Sequence, residues 1–197
     1  MATAWESLSE QEAVKWLNFT WDHEYRRNLA TLMMEFSEAG SATILDVGCS
    51  HGQYIRKLRS MGYRGQYKGL DISKMFVEIA EKANPGEFFQ VQDINEIKET
   101  NESYHLVVSA HVVDHLFLLK RPMWELFRVA KRYVLLGTMF SSGDSTIKHD
   151  YDFINHCYSL AEIYENVPLG WAPVKSAVFH PEWDRNVNIL QCVWKRQ

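Results

Sequence analysis

The sequence predicts an α/β protein: a doubly wound, seven-stranded, mostly parallel sheet with N-terminal helices and a C-terminal antiparallel β-hairpin. Three observations predict it. Short β-branched runs alternate with helical spacing from residue 42 to residue 137, and successive runs close on an acid. Near the end, two β-rich stretches lie too close together for a crossover helix.

Ser9, with Glu12 three residues on, forms a capping-box pattern; behind it Val14, Leu17, Trp21, Leu29, Leu32 and Phe36 recur at helical spacing, so helices are expected up to Gly40. Residues 42–47 read as a buried strand closed by Gly48, residues 52–61 as a helix, and residues 66–70 as the second strand. Helix 75–83, strand 88–91, strand 106–109, helix 124–130 and strand 133–137 continue the alternation, which favours parallel strands with right-handed crossovers. Residues 141–150 read as a polar loop, followed by a helix from Ser159. Residues 172–179 and 186–194 then form the hairpin.

A length of 197 residues suits one domain, divided into an N-terminal helical cap (1–40), a core (42–140), an insert (141–170) and the hairpin (171–197). With 46% hydrophobic and 23% charged residues the chain has a soluble globular composition, which excludes disordered and collagen-like classes. The net charge of -4 supplies no basic field, so the composition disfavours nucleic acid as a partner without excluding it. Cys49, Cys157 and Cys192 are scattered and odd in number; they form no disulfide framework or thiolate metal site, and a cytoplasmic location is expected. No membrane segment is expected, because the most apolar stretch, residues 106–119, is broken by His111, Asp114 and His115.

The chemistry concentrates at the expected strand ends. In Asp46-Val47-Gly48-Cys49-Ser50-His51-Gly52 a buried strand ends in an acid, and a small-residue turn then opens a helix with its backbone N–H groups free for a ligand. The glycine spacing is not G-x-G-x-x-G, which argues against a nicotinamide oxidoreductase. Asp46 is placed to accept from an ammonium group. Asp71, at the second strand end, is placed to accept ribose hydroxyls, with Ile72 covering a base; Asp93, at the third, can receive an exocyclic amino group. The carboxyl ends of strands in open α/β sheets line one crevice, so these acids make one site.

These segments resemble the class I S-adenosylmethionine-dependent methyltransferases, the Rossmann-like methyltransferase superfamily. The resemblance runs through ILDVGCSHG, GLDIS, VQDI and YHLVVSAHVVDHL to YVLLGTMF and the terminal hairpin, roughly residues 42–194. It implies that S-adenosylmethionine is the methyl donor and S-adenosylhomocysteine the product. It also implies that Asp46, Gly48, Cys49, Ser50 and Gly52 surround the methionine moiety, Asp71 holds the ribose, and Asp93 with Ile94 meets the adenine. The family pattern has Gly where this chain has Ser50, which crowds the turn.

Methyl transfer from a sulfonium is an in-line displacement served chiefly by positioning, with a base needed where the acceptor must lose a proton. The loop after the fourth strand brings Ser109, Ala110 and His111 nearest the reactive methyl, and His111 is the leading candidate for a base or acceptor-orienting group. His115 reads as structural. His149, Asp150, Tyr151, Asp152, His156 and Tyr158 cluster at the acceptor side, with His149 and Tyr151 as further catalytic candidates. No ligand spacing calls for a metal. Trp5, Trp16, Phe19, Trp21 and Tyr25 would either cap the crevice or pack in the core. The expected activity is methylation of an oxygen or nitrogen of a small-molecule acceptor, a sugar or secondary metabolite, by a monomer or homodimer. The alternatives are an RNA or protein acceptor, or a catalytically silent donor-binding partner. No Asn-Pro-Pro-Tyr-like tetrapeptide follows the fourth strand, which argues against exocyclic amino methylation of bases.

Overall fold

Strand β1 (Ile44–Val47) is buried along its whole length and paired in parallel on both sides, with β2 (Tyr67–Asp71) and β4 (Tyr104–Ala110). A strand covered on both faces reads as a continuous apolar run, which is why Ile44-Leu45 and Val47 surround the single acid Asp46. The computed structural model describes residues 9, 11–12, 15, 23–143, 146–150, 153–181 and 188–197.

Outward from β1 the sheet continues to β3 (Phe88–Val91) beyond β2 and to β5 (Ala130–Ser141) beyond β4, all parallel. The expected hairpin is present: β8 (Trp171–Phe179) pairs antiparallel with β9 (Asn188–Arg196), and β9 pairs antiparallel with β5. Seven strands therefore follow the order β3-β2-β1-β4-β5-β9-β8, as the α/β reading expects.

Helices cover both faces. On one side α1 (Glu24–Glu35), α2 (Gln53–Ser60) and α3 (Lys74–Ala83) bury Leu29, Met33, Ile55, Leu58 and Ala80 against Ile44, Leu106, Val108 and Leu135. On the other, α4 (Lys120–Val129) and α5 (Leu160–Glu165) bury Met123, Leu126 and Ile163 against Leu45, Val47, Val107 and Trp194. The period-two alternation along β1 and β4 divides the two clusters, and it turns Asp46 towards the α1–α2 side. Both capping boxes are formed: the Glu12 N–H donates to Ser9 Oγ (3.3 Å), and Ser159 caps α5 together with Glu162. Pro122 falls in the first turn of α4, where no intrahelical N–H is needed.

One expectation is corrected. Residues 141–150 are not simply a loop: β6 (Thr146–Asp150) and β7 (Phe153–Ser159) form an antiparallel hairpin. β4 ends opposite Gly137 of β5, and β7 joins β5 further along, through Phe140↔Tyr158 and Ser141↔Ser159. The hairpin thus stands beyond the carboxyl end of β4. It packs on a 3-10 turn (Val113–His115), where the Tyr158 hydroxyl donates to the Leu116 carbonyl. His115 closes that turn, and the chain runs extended at Leu116, so no longer helix starts there. Among the described residues no helix is long and apolar enough to cross a membrane.

Tyr158→Phe removes a hydroxyl that fastens the hairpin to this turn. It is expected to cost about 1 kcal/mol of stability. Hydrogen exchange should speed up at residues 113–116 and stay unchanged in β1, a pattern that mass spectrometry resolves by segment.

Candidate functional site

The turn after β1 is shaped by what cannot fit. Gly48 has φ +82, and a Cβ there would lie 2.0 Å from Val112 Cγ2, so only glycine lets the β1 turn meet the loop after β4. Gly52, at φ +72, opens α2 under Asn84. Between them Ser50 adopts φ +50, a left-handed conformation that strains a side-chain-bearing residue, and this is the place where glycine is the usual choice. Asp71 holds the turn in place: its Oδ2 accepts from the Ser50 N–H and its Oδ1 from the Ser73 N–H, each at 2.9 Å.

Asp46 is 1% exposed. Its Oδ2 accepts from the Tyr67 hydroxyl at 2.6 Å, while Oδ1 has no partner among the described residues. Burial pushes its carboxyl up to about 7, against the lowering effect of the Tyr67 hydrogen bond. Further polar groups of the neighbourhood share this condition: Arg26 Nε, His51 Nε2, Gln53 Oε1 and Ser109 Oγ are all buried without a partner among the described residues. Ser109 lies level with Val47, one strand over. Arg26, 7% exposed, comes from α1, and the Tyr54 phenol feels both the Arg26 guanidinium and the Asp46 carboxyl. Desolvation, with Arg56 and Arg26 adding, pushes the His51 imidazole down to about 4, so it is neutral at pH 7.

Buried polar groups are ordinarily hydrogen-bonded, so a cluster of unpartnered ones marks where a ligand is expected to supply the partners. A carboxyl and a guanidinium in one such cluster suit a ligand end bearing both an ammonium and a carboxylate. The amino-acid portion of S-adenosylmethionine carries that pair.

Farther along the crevice, Ile72 is 49% exposed and able to cover a flat group. Asp93 is exposed and turned back on Asn95, accepting from its N–H (2.8 Å) and its side-chain amide (2.9 Å). Ile94, 7% exposed, packs into the core beside Leu70. Cys49 is buried with the α2–α3 cluster.

His111 stands at the other end. Ala110 closes β4, and His111 follows at φ +56, its N–H donating to the Gly137 carbonyl (2.8 Å). Its Nδ1 lies 2.9 Å from Asp114 Oδ2, and Tyr25 meets the ring edge-on with centroids 5.1 Å apart. Asp114 is fully buried; its Oδ1 accepts from the Met139 N–H (2.9 Å) and from the Thr138 hydroxyl. On β7, His156 stacks on Tyr158 and meets Phe117 edge-on. His149 is on β6, in register with Ile154; Tyr151 and Asp152 lie outside the described residues, as do Trp5, Trp16, Phe19 and Trp21. Among the described residues no three potential metal ligands come together.

The structure therefore brings together Asp46, Gly48, Ser50, Gly52, Asp71 and Ser109, and sets His111 on the adjacent loop. Sequence reasoning missed Arg26, His51, Gln53 and Asp114. Only Asp114 carried a local signal, its three-residue spacing from His111.

The family described as "Methyltransferase domain" matches residues 45–136. Residues 45–136 of this chain thus carry a methyltransferase domain. No curated protein matches the chain. Solved structures with the same fold as this methyltransferase include an S-adenosylmethionine-dependent methyltransferase from Methanosarcina mazei, at 18% identity and TM-score 0.69 over 84% of this chain and 96% of that one. Another, from Mesorhizobium loti, shows 16% identity and TM-score 0.71 over 89% and 99% of the two chains. The Burkholderia thailandensis 1,6-didemethyltoxoflavin-N1-methyltransferase, bound to its namesake compound and S-adenosylhomocysteine, shows 11% identity and TM-score 0.74 over 95% and 84%.

Two measurements follow from the buried cluster. A carboxyl raised to about 7 adds to the stability of the ligand-free protein below its unfolded pKa near 4, and that contribution is lost as pH rises through about 7. An ammonium beside Asp46 draws its carboxyl back down, so donor binding at pH 6.5 is expected to release a proton. Calorimetry in buffers of different ionisation enthalpy measures that release, and Asp46→Asn should abolish it. Arg26→Gln should weaken donor binding by about 10- to 100-fold, the worth of one charged hydrogen-bonded partner.

Proposed function

We propose that this methyltransferase moves a methyl group from S-adenosylmethionine to an oxygen or nitrogen of a small-molecule acceptor. The observation that carries the reading is the apolar packing of helix against hairpin beside His111. Tyr25 of α1, Cys157 of the β6–β7 hairpin and Ile189 of β9 form one apolar cluster, joined by Met139 and Phe179, so helix and hairpin meet over the strand ends. Tyr25 also packs against His111, so an acceptor there meets helix and hairpin together, which favours a compact molecule over a duplex or a folded protein surface. The fold neighbour from Burkholderia holds 1,6-didemethyltoxoflavin, which points the same way. A chain of net charge -4 also supplies no overall basic field of the kind that favours a nucleic-acid substrate.

In this reading residues 1–197 act as one domain, with 42–140 holding the donor and 1–40 together with 141–170 recognising the acceptor. The Asp46 carboxylate takes the donor's ammonium and Arg26 its carboxylate; Gly48, Cys49, Ser50 and Gly52 leave room for the methionyl chain. Asp71 takes the ribose hydroxyls through the second lone pairs of its oxygens, Ile72 covers the adenine, and Asp93 with Ile94 forms the adenine edge. Ser109 and Ala110 line the floor under the reactive methyl, and His111 orients the acceptor or takes its proton.

Titration with S-adenosylmethionine and S-adenosylhomocysteine should give micromolar binding, on the order of -8 kcal/mol, weakened at least about 10-fold in Asp71→Ala. Turnover of a small-molecule acceptor panel should change little between about 50 and about 500 mM salt. A steep loss, with turnover confined to RNA or protein, would establish a macromolecular acceptor instead.

A further inference from the structure

The interaction between His111 and Asp114 has a direction. Oδ1 of Asp114 is taken by two groups of β5, the Met139 N–H at 2.9 Å and the Thr138 hydroxyl. Only Oδ2 is left for the imidazole, 2.9 Å from Nδ1. A carboxylate oxygen in that position accepts, so the ring hydrogen sits on Nδ1 and Nε2 keeps its lone pair. Nε2 has no partner among the described residues. Tyr25 packs edge-on against the ring and is itself stacked on His23, which removes the ring's rotational freedom.

Other titratable groups surround the pair without competing for this bond. His156 feels the Asp114 carboxyl and His115; burial is the largest influence on it and holds its imidazole below the ordinary value. The Tyr158 phenol, also within the Asp114 field, is pushed up to about 12, chiefly by burial. It therefore stays protonated and spends its hydrogen on the Leu116 carbonyl.

We propose that Asp114 is a positioning residue that fixes His111 as a general base through Nε2, and that the acceptor atom is a hydroxyl oxygen on a flat ring, of the phenol or enol class. The proposal rests on the small-molecule reading above. A neutral amine attacks with a free lone pair, whereas a hydroxyl is a poor nucleophile until its proton is leaving. A base locked in one tautomer serves the hydroxyl. The rings of Tyr25, His111, Phe117, His156 and Tyr158 suit a flat partner, and Phe117 remains 68% exposed. In the step itself the hydroxyl proton passes to Nε2 while an oxygen lone pair forms the new O–CH3 bond. The C–S bond breaks with its electron pair remaining on sulfur, and the resulting imidazolium faces Asp114 until water removes the proton.

Asp114→Asn is the diagnostic variant. Its amide oxygen must stay on the Met139 N–H, so its NH2 faces Nδ1 and forces the ring hydrogen onto Nε2. Long-range proton–nitrogen correlation spectra of the histidine-labelled full chain, loaded with S-adenosylhomocysteine, read the tautomer directly. The expected result is Nδ1–H in the wild type and Nε2–H in the variant; a wild-type Nε2–H overturns the proposal whatever the acceptor. The second variant, His111→Asn, leaves the buried acid intact and tolerates the positive φ. Across ring-substituted phenols of rising pKa, both variants should lose about 10²- to 10⁴-fold in kcat with little change in KM, and the loss should grow with acceptor pKa. A uniform loss overturns the base assignment, and turnover of amines but not phenols overturns the hydroxyl class while leaving small-molecule methyl transfer standing. If donor binds and no small molecule of any class is methylated, the small-molecule reading falls, and the spectra still decide the His111–Asp114 pair.

Discussion

The burial of one carboxyl in the central strand constrains everything around it. Asp46 sits in a strand covered on both faces and both edges, where an ionised acid without compensation is costly. Tyr67, on the neighbouring strand, supplies one hydrogen bond, and the other oxygen has no partner among the described residues. The fold accepts this local cost because β1 is anchored by apolar packing on both sides. Asp71 plays the complementary part: it spends both oxygens on backbone N–H groups and so holds the left-handed turn that brings glycine rather than side chain to the ligand.

What could be read in the sequence was what is local in the sequence. The acids at strand ends, the glycines at Gly48 and Gly52, and the Ser159–Glu162 cap are all encoded within a few residues, and the structure places them at the expected strand ends and turns. Arg26 was invisible because its place depends on how α1 packs across α2, a contact no short window contains. The β6–β7 hairpin was hidden for a different reason. Thr146-Ile147-Lys148-His149-Asp150 is too polar and short to announce a strand, and it becomes one through pairing with β7, which is itself held at the end of β5. His111 was legible as a candidate, whereas the groups that aim it, Thr138 and Met139, come from the next strand.

The two ends of the crevice are built on different physical terms. At the β1 end, polar groups are buried without enough partners, an arrangement that waits on a charged ligand. Near the hairpin, Asp114 accepts from two groups of β5 and lies against His111, and the aromatic rings interlock, so the geometry there is set by the protein alone. A methyl transfer draws on both, because the donor must be captured and the acceptor must be aligned.

The order in which the strands are made adds a demand of its own. β9 follows β8 in the chain yet lies between β5 and β8 in the sheet. During synthesis the parallel half, from β3 to β5, is complete while Val134 and Leu136 still present an unpaired edge, and β8 emerges with no neighbour to join. Only when residues 188–196 leave the ribosome can the last strand slide between them and bury Trp194 against Phe127. Of the described strands the keystone is thus the last to be made, and until it pairs the nascent chain carries a sticky seam that is open to the wrong strand.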